Sequence, residues 1–169
     1  MAVRQQAGTP TTGTPLHFTM LAAFLALCAA AGWLGSVATT PNIPTWYAGL
    51  VKPAFTPPNV VFPIVWGLLY AMMAVAAWIA WRAGPSPGRT PAMQAFLLQL
   101  GLNVAWSWAF FGWHSPLLGL AVIVLLFLAI LGTVLLFYRV SRAAAALMVP
   151  YLAWVGFASA LNFAILRLN

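Results

Sequence analysis

No aspartate or glutamate occurs anywhere in the 169 residues, against seven lysines and arginines. That absence excludes a carboxylate proton relay of the kind pumps and transporters use. It also excludes paired-carboxylate hydrolysis and a carboxylate cage for a hard cation. A Ser-His-Asp triad would lack its third member. Cysteine is scarce too: Cys28 stands alone, can form no internal disulfide and reads as a small buried hydrophobe. His17 and His114 are the two histidines, both near helix ends. Each has the chemistry of a haem ligand, but at an interface both read as hydrogen-bonded anchors, so no metal site is expected. Charge of either sign is rare as well, at 4%, where soluble domains carry roughly 25%. A water-soluble globule is therefore excluded.

What is present is hydrocarbon. A run of about 18 or more apolar residues can cross the ~30 Å core of a bilayer. Five such runs occur, at about 18–38, 60–81, 92–111, 117–138 and 143–166. The expected fold is an all-α membrane protein, a single five-transmembrane-helix bundle over 16–169. Residues 1–15 are polar and rich in Thr, Gly and Pro, and are expected to form a disordered tail. The first run is longer than the apolar segment of a signal peptide, so it is read as a retained helix. A β-barrel would show short alternating segments instead.

The cations are spread over short connections rather than gathered in a stripe, which argues against nucleic-acid binding. Arg4, Arg82, Arg89, Arg139 and Arg142 fall on one side of the expected topology, Lys52 and Arg167 on the other. The positive-inside rule then places the amino terminus in the cytoplasm.

The remaining chemistry is aromatic: nine Trp, four Tyr and eleven Phe. Interfacial belts account for Trp33, Trp78, Trp81 and Trp113. Trp66 and Trp154 lie inside spans, where an indole needs a partner for its N–H or a cavity to face. In the third run, helical spacing aligns Gln99, Asn103, Trp106 and Phe110 on one face. Gly101, Ala105 and Ala109 line another, a small-residue stripe that lets helices approach closely in lipid. The amides suit either interhelical hydrogen bonds or ligand contact. The stripe suits packing within the monomer or a homodimer contact. In the fifth run Pro150, Trp154 and Ala158 share a face, and Pro150 predicts a local kink. Trp66, Asn103 and Trp154 together would form an apolar pocket with few polar groups, the usual composition of a small-molecule site.

The first connection, 39–59, contains "WYAGLVKPAFTPP". Pro53, Pro57 and Pro58 stiffen it, Trp46 and Tyr47 offer flat surface for stacking, and Lys52 supplies one cation. By residues alone the favoured reading is an interfacial belt with a topology charge. The pattern W-Y-x-x-L-x-K-P-x-x-x-P-P followed by F-P-x-x-W, with "QLGLNVAWSWAFFG" and "VPYLAWVGFASALNFAILRLN", resembles the tryptophan-rich sensory protein family in its bacterial form. Mitochondrial members of that family are called translocator protein or peripheral-type benzodiazepine receptor. The resemblance spans nearly the whole chain. It implies a multi-pass, commonly dimeric protein of a bacterial membrane that binds porphyrins or haem as ligands, without an intrinsic cofactor. It also implies that the first connection closes the pocket as a lid. Carried over, the pocket tryptophans match Trp66 and Trp154, the lid tyrosine Tyr47 and the helix-three amide Asn103. The candidate ligand-binding set is Trp46, Tyr47, Lys52, Trp66, Gln99, Asn103, Trp106, Phe110, Trp154 and Ala158. Two alternatives accompany sensing. One is light-dependent porphyrin breakdown with Trp66 and Trp154 as redox participants; the other is facilitated passage of porphyrin or sterol. The cholesterol-recognition pattern of animal members needs a tyrosine where "LNFAILR" has Phe163, which counts against sterol binding.

Overall fold

A computed structural model of the chain describes residues 13–169. Five long helices dominate it: α1 Gly13–Thr39, α2 Val61–Arg82, α3 Arg89–Ser107, α4 Pro116–Val140 and α5 Arg142–Leu168. Each is long and apolar enough to cross a membrane. Helices are the form such segments must take, because hydrocarbon offers no partner to a free backbone N–H or C=O. The chain is thus a multi-pass, five-helix membrane protein. Most of the expected tail lies outside the described residues, as does Arg4, and residues 13–15 already belong to α1.

The helix ends follow local chemistry. Ser115 and Ser141 cap α4 and α5, accepting hydrogen bonds from the amides of Leu118 and Ala144. Gly84 ends α2 at φ 87°, the left-handed conformation that glycine adopts without penalty. In space the order around the bundle is α1, α2, α5, α4, α3 and back to α1. Chain direction alternates, so one end collects Arg82, Arg89, Arg139 and Arg142, and the other holds the first connection.

The two halves of the bundle pack differently. Toward the arginine end, Ala76, Ala77, Ala80, Ala92 and Ala144 are fully buried, and side chains this small let helices approach closely. Toward the other end Trp66, Trp106, Phe110 and Phe111 hold the helices apart. The space they leave is the cavity described below.

The first connection is more helical than a loop over 39–59. After α1 the chain tightens into a 3₁₀ turn, Thr40–Asn42, then widens into a π turn, Ile43–Tyr47. Ala48 and Gly49 continue helical, and only the stretch from Leu50 to Val60 is irregular apart from turns. Pro150 sits inside α5, which runs on through it, and is exposed on the bundle's outer side.

Candidate functional site: an aromatic cavity under a helical lid

A cavity of about 410 Å³ lies between the lid-side halves of α1, α2, α3 and α5. That volume falls within the range of small-molecule sites. Its wall is aromatic: Tyr47 from the lid, Phe62, Trp66 and Tyr70 from α2, and Trp106, Phe110 and Phe111 from α3 and its terminal turn. Ala158, Leu161 and Ile165 of α5 complete the apolar lining, and no lining residue is charged. The rings touch one another. Trp66 lies 6.1 Å from Trp106 by ring centroids, Trp106 stacks on Phe110 at 6.1 Å, and Phe110 meets Phe111 at 4.8 Å.

Helix α1 contributes backbone rather than bulk. A Cβ on Gly32 would lie 2.9 Å from the Tyr70 ring, and one on Gly35 would lie 3.0 Å from Ser107 Oγ. Both glycines are therefore notches that let α1 close this side of the cavity.

The buried amides of the wall are joined to their neighbours. Tyr70 donates its hydroxyl hydrogen to Asn103 Oδ1 at 2.6 Å, and Asn103 Nδ2 donates to the Tyr151 hydroxyl at 2.9 Å. A second pair sits nearer the lid, where Trp106 Nε1 donates to Asn162 Oδ1 at 3.3 Å. Asn162 Nδ2 in turn donates to the carbonyl of Pro116 at 2.8 Å. Both asparagines are buried, and hydrogen-bonded amides at such depth brace a bundle while leaving spare capacity for a guest.

The lid is fastened at two points. Asn42 Oδ1 meets His114 Nε2 at 2.7 Å, and the His114 ring stacks on Trp46 at 4.8 Å. Farther along, the Asn169 side chain accepts from the Val51 amide at 3.0 Å and donates to the Val51 carbonyl at 3.1 Å.

Tyr47, Trp66, Asn103, Trp106, Phe110 and Ala158 come together around this cavity, whereas four other residues of the expected set stand apart from it. Trp46 lies behind Phe110, at 5.3 Å, on the His114 side. Lys52 donates to the carbonyls of Ala48 and Leu50 and sits 4.7 Å over the Tyr47 ring. Gln99 is fully buried one turn from Asn103, and neither amide atom finds a hydrogen-bond partner among the described residues. Trp154 sits one layer back, 5.9 Å from Phe62 and 5.5 Å from Phe157, with its indole N–H unpaired. The inner face of α5 instead carries Tyr151, Val155, Ala158 and Asn162. Tyr70 and Tyr151 lie outside the expected set, although a tyrosine hydroxyl deep in an apolar span needs a partner just as the Trp66 indole N–H does.

The small-residue stripe of α3 divides. Gly101 and Ala105 are exposed, with open space around Gly101, but Ala109 is buried within the monomer.

A sequence model described as TspO/MBR family matches residues 24–168, nearly all of the helical bundle. The chain belongs to the TspO/MBR family. It is similar to the "Tryptophan-rich protein TspO" of Archaeoglobus fulgidus, 46% identical over 151 residues, covering 89% of this chain and 96% of the relative. The "Protein CrtK" of Rhodobacter capsulatus is 36% identical over 155 residues, 91% of this chain and 95% of that protein. The human "Translocator protein" is 37% identical over 126 residues, 73% and 75% of the respective chains. The matched span includes every residue that lines the cavity.

Proposed function

We propose that the chain is a membrane receptor for tetrapyrroles, with porphyrin or haem held in the aromatic cavity and the first connection closed over it as a lid. The observation that carries this reading is the cavity wall: rings on three sides, no charged residue, and two short hydrogen-bonded chains centred on Asn103 and Asn162. A flat, conjugated, largely apolar guest suits such a wall, because ring faces and edges stack on each other favourably. The carboxylates of a porphyrin would remain at the mouth, where Asn59 and Thr40 border the cavity. Sensing fits a chain that has no carboxylate side chain, and the downstream event would follow from lid position. Homodimerisation through Gly101 and Ala105 is part of the same proposal.

Tryptophan fluorescence titrated with protoporphyrin tests the reading. Saturable quenching at micromolar ligand supports it, and a linear, unsaturable response sinks it.

One observation favours a photochemical reading beside it. Trp66 and Trp106 adjoin each other and both border the cavity, so an indole there could give one electron to a photoexcited macrocycle. Illuminated turnover to a defined product, slowed by Trp66→Phe more than binding is weakened, would establish it. The intended partner Trp154 is screened from the cavity by Phe62.

A further inference from the structure

The end of the bundle opposite the lid carries a charge imbalance that the chain cannot settle by itself. Arg82 ends α2, Arg89 begins α3, Arg139 lies in the last turn of α4 and Arg142 begins α5. The two connections that hold them touch: a Cβ on Gly88 would lie 3.6 Å from a Val140 methyl. Four guanidiniums therefore share one end, and no carboxylate side chain exists in the sequence to pair with any of them. Arg89 and Arg142 also stand in first helical turns, where the helix dipole disfavours a cation. Their hydrogen-bonding forks are largely unspent. Arg82 lies 4.5 Å over the Trp78 ring and Arg142 5.6 Å over Tyr138, cation–π contacts that occupy no N–H in a hydrogen bond. Arg89 makes one long bond, 3.5 Å, to the Trp81 carbonyl. Arg82, Arg139 and Arg142 are exposed.

We propose that this end is a binding surface for anionic phospholipid, with lipid phosphates as the missing counter-ions of the four arginines. The position selects the source. The guanidiniums lie at the ends of membrane-spanning helices, in register with Trp78, Trp81 and Tyr138, residues of the type that sit at headgroup depth. A planar guanidinium binds phosphate through two parallel hydrogen bonds. Each basic group near an anionic surface strengthens attachment by about fivefold. The surface is separate from the cavity, and the proposal is independent of the tetrapyrrole reading.

Native mass spectrometry of the purified protein tests it, with phosphatidylglycerol and phosphatidylcholine offered at equal concentration. The expected result is preferential retention of phosphatidylglycerol, reduced about fivefold for each arginine replaced in Arg89→Gln and Arg139→Gln. The Lys52→Gln/Arg167→Gln pair, at the opposite end, should leave that preference intact. Equal retention of the two lipids by the unaltered protein overturns the proposal, and that arm needs no variant to fold. So does a preference removed only by the opposite-end pair. A third arm adds millimolar inorganic phosphate. Displacement of the lipid would mean a general anion site and overturn the lipid assignment, whereas retention supports it.

Discussion

The Tyr70 hydroxyl lies 2.6 Å from Oδ1 of Asn103, and this contact joins α2 to α3 at the floor of the cavity. Asn103 passes the connection on to Tyr151 of α5, so one amide ties three helices and faces the guest space as well. Bracing and ligand contact are alternatives at the level of sequence; the side chain that braces the bundle also lines the cavity. Gln99, a turn away on the same helix, is buried without a partner.

These neighbouring amides should therefore respond oppositely. Asn103→Leu removes two interhelical hydrogen bonds, each worth about 0.6 kcal/mol in a membrane bundle, and strands two tyrosine hydroxyls. The apo protein should melt earlier. Gln99→Met removes an unsatisfied buried amide at similar volume, a change that is neutral or stabilising. Thermal melting of both variants in one detergent checks the pair, and a strongly destabilised Gln99→Met would mean the amide is satisfied after all.

The two span tryptophans should separate in the same way. Trp66→Phe removes an indole from the cavity wall and should reduce protoporphyrin affinity several-fold while weakening fluorescence quenching. Trp154→Phe removes an unpaired buried N–H one layer back, so affinity should hold within about twofold, well under the ~1.4 kcal/mol of a tenfold loss. Equal losses would mean the ligand reaches past Phe62.

Lys52 is tied to its own lid rather than to the cavity. Lys52→Ala should loosen the lid and speed release of neutral and anionic ligands by similar, few-fold factors. Stopped-flow dissociation of two ligands of like size and unlike charge checks this. A loss confined to the anionic ligand would show a direct carboxylate contact.

Gly101 faces outward with open space around it. Gly101→Leu should leave the monomer's melting temperature and ligand affinity unchanged while lowering crosslinked dimer yield. An unchanged dimer would remove this strip of α3 from the contact.

The spans were legible because hydrocarbon thickness sets a minimum apolar length, and the five runs meet it. The lid's helical half was not, since the first connection holds Pro41 and Pro44, and proline breaks a helix interior. Each instead occupies the first turn of a new helical segment, where a missing N–H costs nothing. On α3 the polar residues Gln99 and Asn103 marked the inner face, so Trp106 and Phe110 followed by spacing. On α5 the outer face is as apolar as the inner one, because lipid replaces water, and contrast to phase the helix was slight. Spacing therefore points Trp154 inward, whereas Tyr151, three residues earlier, is the fully buried ring of the two.

Filling the cavity tests the central claim most directly. Ala158 lines the cavity and is nearly fully buried, so Ala158→Phe would place a ring where the guest is proposed to lie. Protoporphyrin titrations of the unaltered protein and this variant, followed by Soret absorbance, should give saturable binding in the first. The variant should bind at least tenfold more weakly, with both proteins helical and monodisperse. Equal affinity in a folded Ala158→Phe protein would contradict the account, because the porphyrin would then be bound somewhere other than this cavity.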